Sequence, residues 1–412
     1  MSDRPASPTR TDTMTRGLVG VTVAGWLGNI LSYLLLLAAA RLLGMADYAE
    51  LVTLFNLLLI GSVPSFALQA VAARRMATGQ ADGLWQAGVA VGLGAALLIA
   101  AISPLLVAFL HLPSEFGVLC VALSMPGTAI QGLCQGVLQG EQRFTGLAAT
   151  TFAGIAGRSL AGLAGLFGFG SATSTTLAIA VGVSAAAAGC SFALPELRRH
   201  AHNGLRMLGP LIGECAHASH AYGVFLLLSV SDVLLARHVL PTSAAAIYAA
   251  GSILTKATLW LPQSVANVLF ASLTDSERHH RVFARAVLSI AGLAAVLTGG
   301  CWLLGSLAAA IVGGNKYPQL GQQIWLFAVL GGCLAVVQFT LVAGLAVREV
   351  GVTALIWLTV LAEALGVLSL GGQPSVREVV STVCLINLVS AGCAVALRLR
   401  PSRLRRAIPE QA

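Results

Sequence analysis

The sequence predicts an all-α, polytopic membrane protein with about twelve transmembrane helices. Of its 412 residues, 57% are hydrophobic and only 10% carry a charge, which is too little polar material to cover a soluble domain. The segment from Trp85 to Leu110 contains no charged residue and is long enough to cross a hydrocarbon layer of roughly 30 Å. We therefore expect the chain to lie mostly within a lipid bilayer.

Apolar runs separated by polar or proline-containing breaks define the expected helices. They lie near residues 18–40, 50–72, 85–110, 116–138, 145–168, 172–194, 207–236, 243–270, 283–312, 320–346, 352–370 and 378–397. The connections between these helices are short, so they leave no room for a soluble catalytic domain. We interpret residues 1–17 as a disordered cytoplasmic tail and residues 398–412 as a basic cytoplasmic tail.

The polar connector 195–206 divides the expected helices into an N-terminal six-helix lobe, 18–194, and a C-terminal six-helix lobe, 207–397. Six-plus-six arrangements are common among transporters and place the substrate path in a cavity between the lobes. The connectors also predict the orientation, because Lys and Arg are enriched in cytoplasmic loops. With the N-terminus inside, 18 basic residues lie on the cytoplasmic side and four lie outside. This predicts that both termini are cytoplasmic.

Composition and motifs exclude several classes of function. The formal net charge of +8 comes from residues between apolar segments, so it reports membrane orientation rather than nucleic-acid binding. The eight cysteines form no C-x-x-C pair, which argues against a zinc site. Phosphate-binding loops and hydrolase motifs are absent from the sequence. We therefore expect that the chain is neither an enzyme nor by itself an ATP-driven pump subunit, and that it uses no cofactor. Because 22 of the 24 basic residues are arginine, we expect a GC-rich bacterial source and the cytoplasmic membrane.

Four of the ionisable residues inside expected helices are candidates for a functional site. Arg158, Lys256 and Glu363 lie near the midplane, and Asp232 lies about one turn from the end of the seventh helix. A charge at the centre of a membrane helix costs roughly 2.5–3.5 kcal/mol on insertion scales, so each needs a partner or a purpose. In a structural interpretation, Asp232 pairs with Lys256 or Arg237, and Glu363 meets another helix. In a functional interpretation, the two cations bind an anionic head group, and a carboxylate carries a coupling proton or sodium ion.

Glutamines recur every four residues on the fourth helix and form one polar face, the glutamine stripe (Gln131, Gln135 and Gln139). This stripe predicts either a hydrophilic path for sugar hydroxyls or interhelical hydrogen bonds worth roughly 0.6 kcal/mol each.

Two further patterns predict helix contacts. Small residues at Ala153, Gly157, Ala161 and Gly165 predict close packing of the fifth helix. Glu214, at the start of an E-x-x-H pattern, resembles half of a carboxylate metal site. No second such motif appears on another expected span, so we expect interfacial hydrogen bonding and no metal.

Three stretches resemble the polysaccharide biosynthesis (Wzx-like) flippases of the multidrug/oligosaccharidyl-lipid/polysaccharide (MOP) exporter superfamily. Residues 35–75 resemble that family's first two helices, with the turn "ARLLGMADY" and a basic exit. Residues 231–270 resemble its seventh and eighth helices, with Asp232, Tyr248, Lys256 and Pro262 at matching places. Residues 137–148, "VLQGEQRFTGLA", resemble the turn between its fourth and fifth helices. The chain departs from fuller members in having about twelve helices where fourteen are frequent.

The resemblance implies two six-helix lobes around a central cavity and transport by alternating access. It also implies that the substrate is a polyprenyl-pyrophosphate-linked oligosaccharide, moved from the inner to the outer leaflet for cell-surface polysaccharide synthesis. The implied partners are the bilayer and the polymerase and glycosyltransferases of the same pathway. Alternatives that stay open are a drug/cation antiporter of the same superfamily, a twelve-helix small-solute facilitator, a membrane-bound sugar polymerase or ligase, and an inactive scaffold.

Overall fold

The computed structural model describes residues 10–194, 204–260, 279–345 and 351–399, and nearly all of these residues are helical. The helices are α1 (Arg10–Leu42), α2 (Met45–Gly61), α3 (Val63–Ala77), α4 (Leu84–Ala101), α5 (Ser103–Leu110), α6 (Phe116–Gly140), α7 (Phe144–Phe169), α8 (Ala172–Ala193), α9 (Gly204–Val239), α10 (Thr242–Trp260), α11 (His279–Leu303), α12 (Gly305–Gly313), α13 (Ile324–Leu345), α14 (Gly351–Leu368) and α15 (Val376–Leu399). Two short 3-10 helices, Gly314–Lys316 and Pro318–Gln322, join α12 to α13.

Each of the twelve expected spans coincides with one helix or with a pair of consecutive helices. Among the described residues, ten segments are long and apolar enough to cross a membrane. The number is eleven if Arg206–His220 and Gly223–Val239, the two halves of α9, count as one bent span. The remainder of the eighth expected span, beyond Trp260, lies outside the described residues. The prediction of an all-α, polytopic membrane protein is confirmed.

Three expected spans are each broken into two helices, at Ser62, Ile102 and Leu304. Pro64 and Pro104 lie in the first turn after the first two breaks, where a missing backbone N–H costs no helical hydrogen bond. At the first break, the Ser62 hydroxyl donates a hydrogen bond to the Leu59 carbonyl at 2.7 Å. The apolar character of the sequence continues across all three breaks, which is why it predicted continuous helices there.

The N-terminal boundary differs from the expected one. Helix α1 begins at Arg10, so residues 10–17 are helical rather than part of a disordered tail, and Gly17 packs against the side chain of Phe144. Residues 1–9, 195–203 and 400–412 lie outside the described residues, and with them the rest of both expected tails and most of the connector.

The helices form two compact units, residues 1–249 and residues 250–412. In the first unit, α6 is central and packs against α3, α4 and α8, while α7 packs between α1 and α8. Helix α9 packs against α2, α3 and α4 and so belongs to the first unit. The sequence predicts this helix in the C-terminal lobe, and the lobe boundaries stay a prediction. In the second unit, α13 packs against α11 and α15, and α14 packs against α15.

The small-residue row of the fifth span mediates close packing between α7 and α8, as predicted. A Cβ atom placed on Gly157 would lie 3.0 Å from the backbone carbonyl oxygen of Gly182. Seen from the other helix, a Cβ on Gly182 would meet the Gly157 carbonyl and the Ala161 methyl group. A Cβ on Gly165 would lie 2.6 Å from the Cβ of Ala178. The absence of side chains therefore lets the two backbones touch.

We predict that Gly182→Leu lowers the free energy of unfolding by about 1–3 kcal/mol, because overpacking forces the helices apart. The thermal unfolding midpoint of the purified protein in detergent measures this effect. Gly189→Leu on the same helix is the matched control, because no atom lies within 4 Å of its Cβ position. Equal midpoints for the two variants would contradict the prediction.

Candidate functional site

Arg158 lies near the middle of α7, and neutral groups hold its guanidinium. Nη2 donates a hydrogen bond to Ser32 Oγ at 3.3 Å, and the guanidinium carbon lies 5.4 Å from the centre of the Phe55 ring. Ser32 Oγ lies 3.1 Å from Ser159 Oγ. Within the described residues, no carboxylate lies within 4.0 Å of the guanidinium, and Arg158 Nε has no hydrogen-bond partner. Arg158 is thus a positive charge inside the helix bundle without a counter-charge in the described part of the chain.

Gln131 on α6 contacts α7 one helical turn away from Arg158. Its Nε2 donates to the Thr150 carbonyl at 2.6 Å, and its amide packs against Gly154, four residues before Arg158. Gln131 Oε1 is buried and has no hydrogen-bond partner among the described residues. Gln131 therefore makes an interhelical hydrogen bond, which is the structural alternative for the glutamine stripe. Its side-chain oxygen remains as an acceptor close to the turn of α7 that carries Arg158.

The other two members of the glutamine stripe have different surroundings. Gln135 is half-buried and makes no hydrogen bond to any described residue. Gln139 is exposed at the end of α6, where its Oε1 accepts a hydrogen bond from Gln69 Nε2 of α3 at 3.2 Å. Because four residues of helix rise about 6 Å, the stripe carries amides from the depth of Gln131 to the end of the helix.

Lys256 lies half-buried on α10, in the second unit, whereas Arg158 belongs to the first. The preceding residue, Thr255, anchors α10 to α13 by donating a hydrogen bond to the Phe327 carbonyl at 3.1 Å. Gly331 of α13 packs against the backbone of Thr255. This contact fixes the turn of α10 from which the Lys256 side chain extends.

Asp232 is 2% exposed on α9, and its Oδ2 accepts a hydrogen bond from the Tyr248 hydroxyl of α10 at 3.2 Å. The alternative pairing of Asp232 with Arg237 was wrong. Residues five apart on a helix are about 140° apart around its axis, so their side chains diverge. Arg237 instead donates to the backbone carbonyls of Leu110 at 3.0 Å and His111 at 2.9 Å.

Glu363 is fully buried on α14 and meets another helix, as its structural interpretation expected. Its Oε1 accepts a hydrogen bond from Asn387 Nδ2 of α15 at 2.5 Å, and the same amide donates to the Val383 carbonyl at 2.9 Å. One turn along, the hydroxyls of Thr359 and Ser390 lie 2.7 Å apart. The two helices therefore share a buried polar ladder with a carboxyl group at one end.

Glu214 contacts two basic residues of α3 rather than a metal-binding partner. Its carboxylate forms ion pairs with Arg74 and with Arg75, the latter at 2.6 Å. Among the described residues, no three His, Cys, Asp or Glu side chains come together as a metal-binding group. The E-x-x-H pattern here belongs to a helix–helix contact.

Sequence reasoning missed two residues that contact Arg158 and one buried carboxyl group elsewhere in the first unit. Ser32 and Phe55 lie on different helices from Arg158, and no sequence spacing relates them to it. Glu50, 6% exposed on α2, was also missed; its Oε1 accepts a hydrogen bond from the Thr173 hydroxyl at 3.2 Å. The only sign of Glu50 in the sequence was its position as the first residue of an expected span. Solvated carboxylates are common at that position, so the sequence did not indicate that Glu50 is buried.

No protein-family model matches the sequence, and no curated protein matches it. Solved structures do match. An inward-facing multidrug resistance MATE family transporter of the MOP superfamily is similar with a TM-score of 0.69 and 14% identity, covering 95% of this chain and 99% of the other. The lipid II flippase MurJ in an inward closed conformation is similar with a TM-score of 0.72 and 11% identity, covering 92% and 87%.

A MOP superfamily transporter from Pyrococcus furiosus is similar with a TM-score of 0.54 and 12% identity, covering 93% of this chain and 95% of the other. The chain has the MOP transporter fold. At these identities the likeness shows the fold alone, and it extends over almost the whole of each chain. The superfamily-level part of the resemblance seen in the sequence is therefore confirmed for the fold.

Within this fold, the Glu363–Asn387 contact is predicted to contribute to stability. Asn387→Leu removes the amide that donates to the buried Glu363 carboxyl, and we expect it to lower the free energy of unfolding by about 1–3 kcal/mol. Leu388→Ala, at the next and exposed position of α15, is the matched control. Thermal unfolding in detergent measures both. An unchanged midpoint for Asn387→Leu would show that the hydrogen bond adds nothing to stability.

Proposed function

We propose that this chain is a membrane transporter that flips a polyprenyl-pyrophosphate-linked oligosaccharide from the inner to the outer leaflet of the bacterial cytoplasmic membrane. It works by alternating access and is a carrier rather than an enzyme. Both termini lie in the cytoplasm. Glycosyltransferases of the same pathway supply its substrate, and a polymerase uses the flipped product in cell-surface polysaccharide synthesis.

The observation that carries this proposal is the environment of Arg158. A guanidinium has five N–H donors in a planar arrangement that matches phosphate oxygens. Only one hydrogen bond from Arg158 to a described residue is formed, to Ser32 Oγ, and its other polar contact is the Phe55 ring. Most of its donors thus remain for an anionic ligand such as a pyrophosphate.

The amides beside Arg158 support a sugar-bearing substrate. The Gln131 acceptor lies one turn from Arg158 along α7, and Gln135 continues the stripe with a half-buried amide that no described residue engages. Amides offer both donors and acceptors, which sugar hydroxyls need. Gln139 extends the stripe to the end of α6, and this end of the helix is the entry of the path for the sugar.

Lys256, Asp232 and Glu363 take the remaining roles in this proposal. Lys256 is the second cation for the pyrophosphate, contributed by α10. Asp232 and Glu363 are coupling candidates, because a buried carboxyl group is able to change its protonation or cation occupancy during a transport cycle. The fold similarity to a protein named as a lipid II flippase supports a lipid-linked substrate.

A second candidate function is a drug/cation antiporter, which is favoured by three buried carboxyl groups. Asp232, Glu363 and Glu50 are 2%, 0% and 6% exposed. Such groups suit a cationic substrate exchanged for protons, and structurally similar proteins include multidrug resistance transporters. We prefer the flippase because Arg158 would repel a cationic drug from the same unit.

Deletion of the gene, followed by profiling of polyprenyl-linked sugars and surface polysaccharide, tests the function directly. We expect a complete lipid-linked oligosaccharide to accumulate and the matching external polymer to disappear. Restoring the gene on a plasmid should reverse both changes. Unchanged lipid intermediates together with increased drug sensitivity would instead establish the antiporter.

We predict that Arg158→Ala lowers the rate of lipid-linked oligosaccharide flipping in reconstituted vesicles at least tenfold. A charged hydrogen bond is worth about 1.5–3 kcal/mol, which corresponds to a factor of roughly ten to a hundred. Arg158→Lys should keep part of the activity, because it keeps the charge and loses the planar fork. The control is Arg206→Ala, which removes an exposed arginine of α9. Normal flipping by a well-expressed Arg158→Ala protein would remove Arg158 from the site.

A further inference from the structure

A cavity of about 600 Å³ lies among α2, α3, α4, α5 and α9 in the first unit. Its volume falls within the range of roughly 300–1,000 Å³ that is typical of ligand sites. Of the described residues that line it, none is charged, and only Cys215 and Ser219 carry a polar side-chain atom. The cavity therefore fits hydrocarbon and offers very little to a sugar or a phosphate.

The cavity opens at an apolar surface. Leu98 of α4 and Ile212 of α9, which line it, are exposed, whereas Leu57 of α2 and Cys215 of α9 are buried on its inner wall. Leu97, beside the opening, is also exposed and apolar. In a membrane protein, such residues face lipid, because the hydrocarbon layer is as apolar as leucine. A lipid chain thus reaches the cavity without crossing water.

The cavity is longer than one leaflet of the bilayer. Residues between Ala90 and Leu106 line it on α4 and α5, which corresponds to about 24 Å of helix at 1.5 Å per residue. One leaflet contributes about half of a hydrocarbon layer of roughly 30 Å. A phospholipid chain is held at one membrane surface by its head group, so it fills only part of this length. A polyprenyl chain is longer than a leaflet and is able to fill the cavity throughout.

Arg158 and the cavity lie on opposite faces of α2. Phe55, which contacts the Arg158 guanidinium, and Leu57, which lines the cavity, are about 160° apart around the helix axis. A helix with its side chains is about 10–12 Å across, so a ligand that occupies both places must pass round one helix. A long, flexible tail attached to a pyrophosphate meets this requirement.

We propose that this cavity holds the hydrocarbon tail of the polyprenyl-linked substrate while the pyrophosphate is bound at Arg158. This inference rests on the proposed flippase function. The tail gains nothing from leaving water, because it comes from lipid; instead, it supplies van der Waals contacts that the walls of an empty cavity lack. Binding of the head group also raises the local concentration of the attached tail, which favours it over the chains of free lipids.

Photolabelling tests the cavity without requiring transport. A long-chain polyprenyl phosphate with a diazirine on its tail is irradiated with the purified protein in nanodiscs, and mass spectrometry identifies the labelled peptides. We expect labels to concentrate on the cavity walls and to fall roughly threefold or more in Gly94→Phe, because the ring occupies cavity volume. Gly94 lines the cavity, and no atom lies within 4 Å of its Cβ position, so the fold accommodates the substitution. Gly189→Phe on α8 is the matched control, with an equally open Cβ position outside the cavity.

A second blocking variant and a second probe complete this experiment. Ala216→Phe narrows the cavity from α9 and should lower labelling in the same way. Labelling that is unchanged in both blocking variants, or that is equally strong at exposed apolar positions elsewhere, such as Leu365 of α14, would overturn the inference. Equal labelling of the cavity by a phospholipid that carries the same diazirine would also overturn it, because the occupant would then be ordinary bilayer lipid.

Transport of substrates with two tail lengths separates this inference from the proposed function. Lipid-linked oligosaccharides with one sugar and either a long or a short prenyl tail are supplied to the protein in vesicles. We expect the ratio of long-tail to short-tail flipping rates to fall roughly threefold in Gly94→Phe and to stay unchanged in Gly189→Phe, because only the long tail fills the cavity. An unchanged ratio in Gly94→Phe would overturn the tail site and leave the flippase standing. Failure of the wild-type protein to flip either substrate would refute the proposed function, and selective photolabelling would still assign a prenyl-chain site.

Discussion

The hydrocarbon layer contains no water, so every polar group placed in it must find a partner inside the protein or in a ligand. Helices satisfy the backbone, and short polar side chains follow the same rule locally. The Thr53 hydroxyl and the Asn56 amide, for example, each donate to the carbonyl four residues earlier on α2 at 2.7 Å. Charged side chains cannot be satisfied in this way, because one neighbouring carbonyl does not replace their hydration. Their positions therefore decide which helices are held together and where a ligand is needed.

Three arginines of the first unit show how differently this requirement is met. Arg75 contacts a carboxylate through two nitrogens, and Arg237 donates to two carbonyls at the end of α5. Both are therefore occupied in structural contacts that hold α9. Arg158 donates one hydrogen bond, to a hydroxyl, and faces an aromatic ring. Arg75 and Arg237 thus attach α9 to neighbouring helices, whereas Arg158 remains available to bind an anion.

The helices and the isolated charges in their interiors were predictable from the sequence, because apolar runs and single charges are local features, whereas the buried Glu50 at the start of a span was not. The partners were not. Gln131 bonds to the carbonyl of Thr150 nineteen residues away, and Arg158 to Ser32 across 126 residues. Such pairs depend on how helices rotate and slide against one another, which periodicity within one helix does not fix. The wrong pairing of Asp232 with Arg237 has the same origin, since closeness in sequence was taken for closeness in space.

The contacts of Arg158 also explain how a carrier can hold a charge ready and still release its ligand. An empty site with a bare guanidinium would be unstable in the bilayer, and a site closed by a carboxylate would make the ligand compete with a strong ion pair. Ser32 and Phe55 lie between these extremes, because a cation–π contact contributes only about 0.5–2 kcal/mol. The Gly157–Gly182 contact holds the backbone of α7 on α8 next to Arg158, so the guanidinium extends from a fixed frame. A ligand phosphate then replaces weak resting contacts on arrival, and the same contacts re-form when it leaves.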